Sequence, residues 1–417
     1  MQKRDRNPKQ QSTLRRQLLK GLMLLPAAVM LGNVQLASAE VNTTGLAVTD
    51  DTVKVGILHS ITGTMAISET GSVQAEKLAI DQINAMGGVL GRQIEYIQED
   101  GASDWPTFAE KSKKLLVNDK VAAVFGCWTS ASRKAVLPVF EQYNGMLYYP
   151  TFYEGLEQSP NVIYTGQEAT QQILAGLDWV MENKGAENFY LLGSDYIWPR
   201  TSNKIARKHI EKNGLKVVGE EYYPLGHTQF NSVINKIKLK KPDVVFISVV
   251  GGSNVAFYKQ LKAAGIEMGK EKPLFLTISV TEDEILGIGG ENIDGIYASM
   301  KYFQSLDNEN NAGFVDAFKE KYGEDIVIGD VTQAAYLGPW LWKAAVEKAG
   351  SFDIDKVRAA SAEIELTSAP EGYVKVHPNH HLWSKTRIGQ AQTDGQYKVV
   401  YETSELIEPN PFPEGYQ

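Results

Sequence analysis

The chain has 417 residues, 42 basic against 50 acidic for a formal net charge of −8, 43% hydrophobic content and one cysteine. That length holds two lobes, each with its own core. An acidic balance disfavours nucleic acid and anionic membrane as partners, and one cysteine excludes an intrachain disulfide.

The first 39 residues read as an address. Lys3, Arg4, Arg6, Lys9, Arg15, Arg16 and Lys20 stand against Asp5 alone, and an apolar stretch from Gly21 to Gly32 leads to the small-x-small cleavage signal Ala37-Ser38-Ala39. The apolar part is shorter than the roughly 20 residues a spanning helix needs, so 1–39 is expected to be an export signal peptide that is removed. Leu14-Arg15-Arg16-Gln17-Leu18-Leu19-Lys20 resembles the twin-arginine export motif, with a Sec signal of basic start as the alternative. No cysteine stands at the cleavage site, which excludes lipid attachment there. The expected product is periplasmic, starts near Glu40 and has a net charge of −14. No later apolar run reaches spanning length, so no stable membrane insertion is expected after cleavage.

Beyond Asp50, strand and helix patterns alternate. Strands are predicted at 53–58, 93–98, 121–125 and 146–149, with helices at 68–86, 106–118 and 131–143 between them. The pattern restarts with strands at 188–193, 216–222, 243–249 and 274–280 and helices at 200–213, 229–239 and 253–264. Helices follow at 309–322 and 331–349, and 372–401 switches to short strands with a hairpin signal at Asp394-Gly395. The rhythm predicts an α/β fold, with mostly parallel sheets flanked by helices. One sheet of this many strands would be unusually wide, so two lobes are expected.

Four segments, the first three bearing aromatic residues and the fourth hydroxyls, sit where strands should end: Gly126-Cys127-Trp128-Thr129-Ser130, Tyr148-Tyr149-Pro150-Thr151-Phe152-Tyr153, Ser194-Asp195-Tyr196-Ile197-Trp198-Pro199 and Thr277-Ile278-Ser279-Val280-Thr281-Glu282. Ligands of α/β sheets bind beyond the carboxyl ends of strands. Aromatic walls with hydroxyl hydrogen-bonders suit something small, polar and uncharged.

Several motifs together carry a family likeness from about residue 52 to about 405. Ser60-Ile61-Thr62-Gly63, Gly87-Gly88-Val89-Leu90-Gly91-Arg92 and Gly193-Ser194-Asp195-Tyr196 resemble type I periplasmic solute-binding proteins. Phe125-Gly126-Cys127-Trp128, Ser132-Arg133-Lys134-Ala135-Val136, Tyr149 to Gly155 and Asp195 to Arg200 resemble the urea- and short-chain amide-binding branch of the branched-chain amino-acid-binding superfamily. The resemblance implies two lobes joined by a three-segment hinge and closing on a ligand. Lobe one would be 50–167 plus 300–370, lobe two 168–299 plus 371–405, and 406–417 a C-terminal tail. It implies capture of urea, or a close short amide, for the permease subunits of an ABC transporter.

In that frame Trp128 and Tyr149 would form walls, while Thr129, Ser130 and Thr151 lie at the lobe-one strand ends with hydroxyls to hydrogen bond. Tyr196 and Trp198 would descend from lobe two, where Thr281 and Glu282 would accept amide hydrogens. Phe152 and Tyr153 are placed second, as residues packing across the hinge. The alternative ligand is a branched-chain or other small amino acid, with Glu282 serving the ammonium. A cytoplasmic amide sensor conflicts with residues 1–39, and an amidase using Cys127 lacks a base beside it. His59 reads as structural, and His377, His380 and His381 as a solvated turn. No cofactor and no metal ligand set is expected.

Overall fold

The computed structural model describes residues 45–269 and 271–417; the export-signal reading of 1–39 falls outside them. Strand β1 (Thr52–His59) starts the first sheet, with Val53, Val55 and Ile57 fully buried. It pairs in parallel with β2 (Gln93–Asp100) and β3 (Val124–Gly126), and β4 (Leu147–Tyr149) and β5 (Val162–Tyr164) complete the order β2-β1-β3-β4-β5. Helix α1 (Ala66–Ala85) packs Val73, Ile80 and Ile83 with Val53 and Val55 on one side. Helices α2 (Trp105–Lys113) and α3 (Ser130–Gln142) place Phe108, Val136 and Phe140 in the cluster with Leu58 and Val124. In this strand order the progression across the sheet reverses at β1, with β2 added on one side and β3 on the other, so the ends of β1 and β3 frame a crevice.

The second half repeats the plan. Helix α4 (Ala175–Lys184) leads to β6 (Asn188–Ser194), α5 (Ile197–Lys212), β7 (Lys216–Tyr223), α6 (Asn231–Lys240), β8 (Val244–Ser248), α7 (Gly252–Ala263), β9 (Leu274–Thr277), α8 (Glu282–Ile288) and β10 (Tyr297–Met300). The chain then returns to the first lobe as α9 (Glu309–Tyr322), α10 (Asp330–Ala349) and α11 (Ile354–Ser361), followed by a three-stranded sheet of β11 (Glu365–Leu366), β12 (Val374–Val376) and β13 (Leu382–Trp383). It ends in lobe two with β14 (Arg387–Ala391) and β15 (Tyr397–Glu402), antiparallel strands joined across Asp394-Gly395. The second sheet has the order β15-β14-β10-β9-β8-β6-β7.

Val374, Val376 and Leu382 share a buried cluster with Val53, Val55 and Leu341. The last crossing therefore falls near 384 rather than at 371, because apolar side chains on β12 and β13 complete the first lobe's core. The tail does not hang free: Pro411 O accepts from Leu156 N–H at 2.7 Å, and the Tyr416 hydroxyl meets His209 Nδ1 at 2.6 Å.

Three crossings form the hinge and are laced together. Gln167 Nε2 donates to Ser384 Oγ, Lys385 O and Thr386 Oγ1 at 3.2–3.3 Å, and Gln171 Nε2 to Leu382 O at 2.8 Å. Asp330 Oδ2 accepts from the N–H groups of Lys301 and Tyr302 at 3.0 Å, and Lys301 Nζ pairs with Glu371 at 2.5 Å. The lobes are closed on each other, with Ser68 Oγ of α1 donating to Glu284 Oε1 of α8 at 2.5 Å.

The bend that ends β3 tolerates no side chain at Gly126. Its φ is +149°, and a Cβ there would lie 2.1 Å from the Leu58 carbonyl oxygen. Gly126→Ala is therefore expected to lower stability by roughly 3 kcal/mol. Guanidinium unfolding followed by circular dichroism checks this; an unchanged midpoint refutes the packing argument.

Candidate ligand-binding site

At the end of β3 the backbone turns sharply, with Cys127 at φ +64°, a left-handed conformation uncommon outside glycine. Cys127 N–H donates to Leu58 O at 2.8 Å, which pins the turn to β1. The chain thereby presents Trp128 beyond the sheet edge and starts α3, whose N-cap is Thr129. The Thr129 hydroxyl accepts from Ser132 N–H at 3.0 Å, so it serves the helix. Cys127 is fully buried, and burial pushes its thiol well above the usual range, as does the Glu69 carboxylate nearby. A thiol held neutral in this way is a packing group and no nucleophile.

A buried cation organises the lobe-one half. Arg133 is fully buried; its Nε donates to Glu157 Oε1 at 2.7 Å, its Nη2 lies 3.4 Å from Glu154 Oε1, and its Nη1 donates to Ser130 Oγ at 3.0 Å. The Ser130 hydroxyl donates to Glu154 Oε2 at 2.5 Å. Its hydroxyl is thus engaged inside the protein, on both sides. The guanidinium lies over Tyr149 and Tyr153, 4.8 and 4.4 Å from their centroids. Burial alone would raise Glu157, but Arg133 and Lys134 outweigh it and bring the carboxyl down to about 2. His381, placed by sequence in a solvated turn, is instead fully buried. It stacks on Tyr164 at 4.3 Å and meets the Tyr153 hydroxyl at 2.5 Å, and burial lowers it to about 3, keeping it neutral. His59 is structural: burial pulls it down, but Glu76 and Glu69, bonded at 2.9 and 3.2 Å, raise it to about 10.

Four aromatic rings bridge the lobes. Trp128 meets Phe152 edge-on at 5.7 Å, Phe152 meets Trp198 at 5.5 Å, and Trp198 meets Tyr196 at 6.4 Å. Phe152, ranked second by sequence, is the link between lobes. Tyr196 is half-buried overall, yet burial of its hydroxyl, with Tyr149 and Glu154 near, holds that group well above the usual tyrosine range. Around these rings, Trp128 Nε1, Thr151 Oγ1 and Trp198 Nε1 are buried without a hydrogen-bond partner in the protein. Each such group costs about 1–3 kcal/mol when left unpaired. Tyr149 is committed, its hydroxyl donating to Trp128 O at 2.7 Å.

Thr281 and Glu282 engage a different set. Thr281 Oγ1 lies 3.4 Å from Asp283 Oδ2 at the start of α8, and Glu282 Oε1 accepts from Gln304 N–H at 2.9 Å. Burial pushes the Glu282 carboxyl well up, which favours its neutral form. A cavity of about 350 Å³ between α1 and α8, lined by Ile67, Gly71, Asp283, Leu286 and Val327, is another place a small molecule would fit. Its lining is largely apolar, and the convergent unpaired groups lie at the aromatic bridge, which is the better candidate.

The sequence profile of the Periplasmic binding protein domain family matches residues 53–417. The leucine-, isoleucine-, valine-, threonine- and alanine-binding protein of Pseudomonas aeruginosa is 28% identical over 319 residues, covering 74% of this chain and 82% of that protein. The Leu/Ile/Val-binding protein homolog 8 of Brucella melitensis is 25% identical over 384 residues, covering 85% and 92%. Among solved structures, a solute-binding protein of an R. palustris ABC transporter in complex with benzoate has a TM-score of 0.76 at 21% identity, covering 85% of this chain and 97% of its own. A branched-chain amino acid transporter substrate-binding protein of Streptococcus pneumoniae in complex with isoleucine has 0.74 at 21%, covering 86% and 100%.

Arg133→Met is expected to destabilise the protein by about 3–5 kcal/mol, because it leaves the buried Glu154 carboxylate without its cation and Glu157 with Lys134 alone. Glu157 has a depressed folded pKa, so its contribution is present above about 4.5. That contribution fades as pH falls toward about 2, and the variant's stability should change less over this window. Unfolding midpoints measured from pH 7 to pH 2 check both statements; parallel profiles for the two proteins contradict the second.

Proposed function

The chain belongs to the Periplasmic binding protein domain family, and on that premise we propose that it captures urea, or a close short-chain amide, between its lobes for delivery to an ABC-type permease. Membership makes it a periplasmic solute-binding component of an ABC transporter, with the two-lobe type I fold, and a binder rather than an enzyme.

The observation that carries the urea reading is the neutral, unpaired set at the aromatic bridge. Trp128 Nε1 and Trp198 Nε1 are donors suited to a carbonyl oxygen, and the Thr151 hydroxyl accepts an amide N–H or donates. Flat rings from both lobes suit a flat ligand. Arg133, the cation at this cluster, is taken by Glu154 and Glu157, so a ligand carboxylate would compete with two resident ones. The four amide hydrogens and polar carbonyl of urea need no ionic partner.

An amino-acid ligand is the second reading, and the relatives favour it: those named for their ligands bind leucine, isoleucine, valine, threonine and alanine. A benzoate complex among the structural neighbours extends the range to aromatic acids. Isothermal titration of the mature protein with urea, acetamide, leucine and benzoate separates these readings. Heat of binding is expected with urea or acetamide, and leucine or benzoate binding with both amides silent refutes the proposal.

Closure couples binding to shape, since the aromatic bridge joins rings of both lobes. Small-angle scattering is expected to show compaction at saturating urea. A profile unchanged by a ligand that calorimetry shows to bind would sink the closure mechanism.

A further inference from the structure

One polar side chain outside the four strand-end segments has the marks of a ligand group. Gln333 lies in the first turn of α10, is fully buried, and has neither amide atom paired. Exchanging its amide oxygen and nitrogen changes nothing, because both lack partners. Its chain neighbours fix where it stands. Thr332 Oγ1 reaches Asp283 of lobe two at 3.2 Å, so α10 begins at the closing surface. Ala334 O accepts from Thr165 Oγ1 at 3.0 Å, and Thr165 N–H donates to Tyr149 O at 2.8 Å, so the same turn lies over the carboxyl end of β4. There Gly166 packs on Thr151 so closely that a Cβ would lie 2.2 Å from its carbonyl carbon. Gln333 thus sits between the lobe contact and the strand end that bears the unpaired Thr151 hydroxyl.

A primary amide with both heads free offers one acceptor and two donors in a plane. We propose that Gln333 is a specificity-determining residue of the binding site, reading the ligand's amide through its own, N–H to carbonyl oxygen and carbonyl oxygen to N–H. The inference rests on the urea or short-amide reading and adds the residue that would tell an amide from a carboxylate. A carboxylate cannot donate to Gln333 Oε1, so that atom would stay buried and unpaired against an acid. The arrangement also explains why a polar residue stands one and two helical turns before the buried Leu337 and Leu341, on the same stripe of α10.

The test uses Gln333→Met, close in shape and unable to hydrogen bond, with Gln333→Leu as a second variant should the first fail to fold. Titrations with urea, acetamide and leucine are run on wild type and variant, with thermal unfolding of each protein alone. The variant is expected to lose affinity for urea and acetamide by about tenfold to a hundredfold. Its unfolding temperature without ligand should equal or exceed that of wild type, since two unpaired buried atoms are gone, which a merely structural glutamine would not allow. Wild-type affinity for urea in the variant, or the same affinity loss with a lowered unfolding temperature, overturns the role of Gln333. Wild type that binds leucine and neither amide overturns instead the reading on which it rests.

Discussion

One buried guanidinium holds the fixed half of this molecule together. Arg133 links the turn after β3, through Ser130, to the loop after β4, through Glu154 and Glu157, and it lies against Tyr149 and Tyr153. A buried charge is tolerated only when its partners are near and well oriented, so these contacts constrain one another. The stack of Tyr153, Tyr164 and His381 carries the constraint on to the hinge. Trp128 and Thr151 consequently keep their spacing whatever the second lobe does. Preorganisation of this kind reduces the ordering that binding must impose.

In the proposed closure the second lobe moves against that half. Its contribution to the bridge is Trp198 and Tyr196, at the start of α5 beyond β6, the strand from which the sheet is built outward in both directions, to β7 on one side and β8 on the other. Closure buries aromatic surface, which is favourable, and leaves two indole N–H groups and a threonine hydroxyl unpaired, which is not. A ligand that completes those groups changes the sign of the second term while keeping the first. Selection between open and closed forms then follows from differential interaction alone. The bonds among Gln167, Gln171, Asp330 and the 382–387 segment keep the three crossings together.

Much of this was legible in the residues. Long helices with strong periodicity, such as α1 and α10, lie close to their predicted bounds, because each has one face that must be buried; β6 does so as a continuous apolar run, and the β14–β15 hairpin turns at the Asp394-Gly395 signal. β5 and β10 escaped notice because they are short and buried throughout, so no alternation marks them, and α8 because its seven residues are too few to show a helical period. α4 follows a π-helical turn at Thr170–Leu174, which breaks the helical period. The aromatic bridge could be read from strand-end position. The Arg133 network could not: its carboxylate partners lie 21 to 24 residues away, and nothing local distinguishes a buried arginine from a solvated one. His381 misled for the same reason, since its stacking partners come from 217 and 228 residues earlier in the chain.

The packed tail has a mechanical consequence. Residues 406–417 touch both halves: Pro411 is bonded to Leu156 beside the Arg133 network, and Tyr416 and the Gln417 carbonyl are bonded to His209 and Lys208 on α5. The same helix, α5, carries Trp198 at its other end. The tail thus ties the loop beside Arg133 to the helix that bears Trp198, a fourth connection between the halves besides the three hinge crossings.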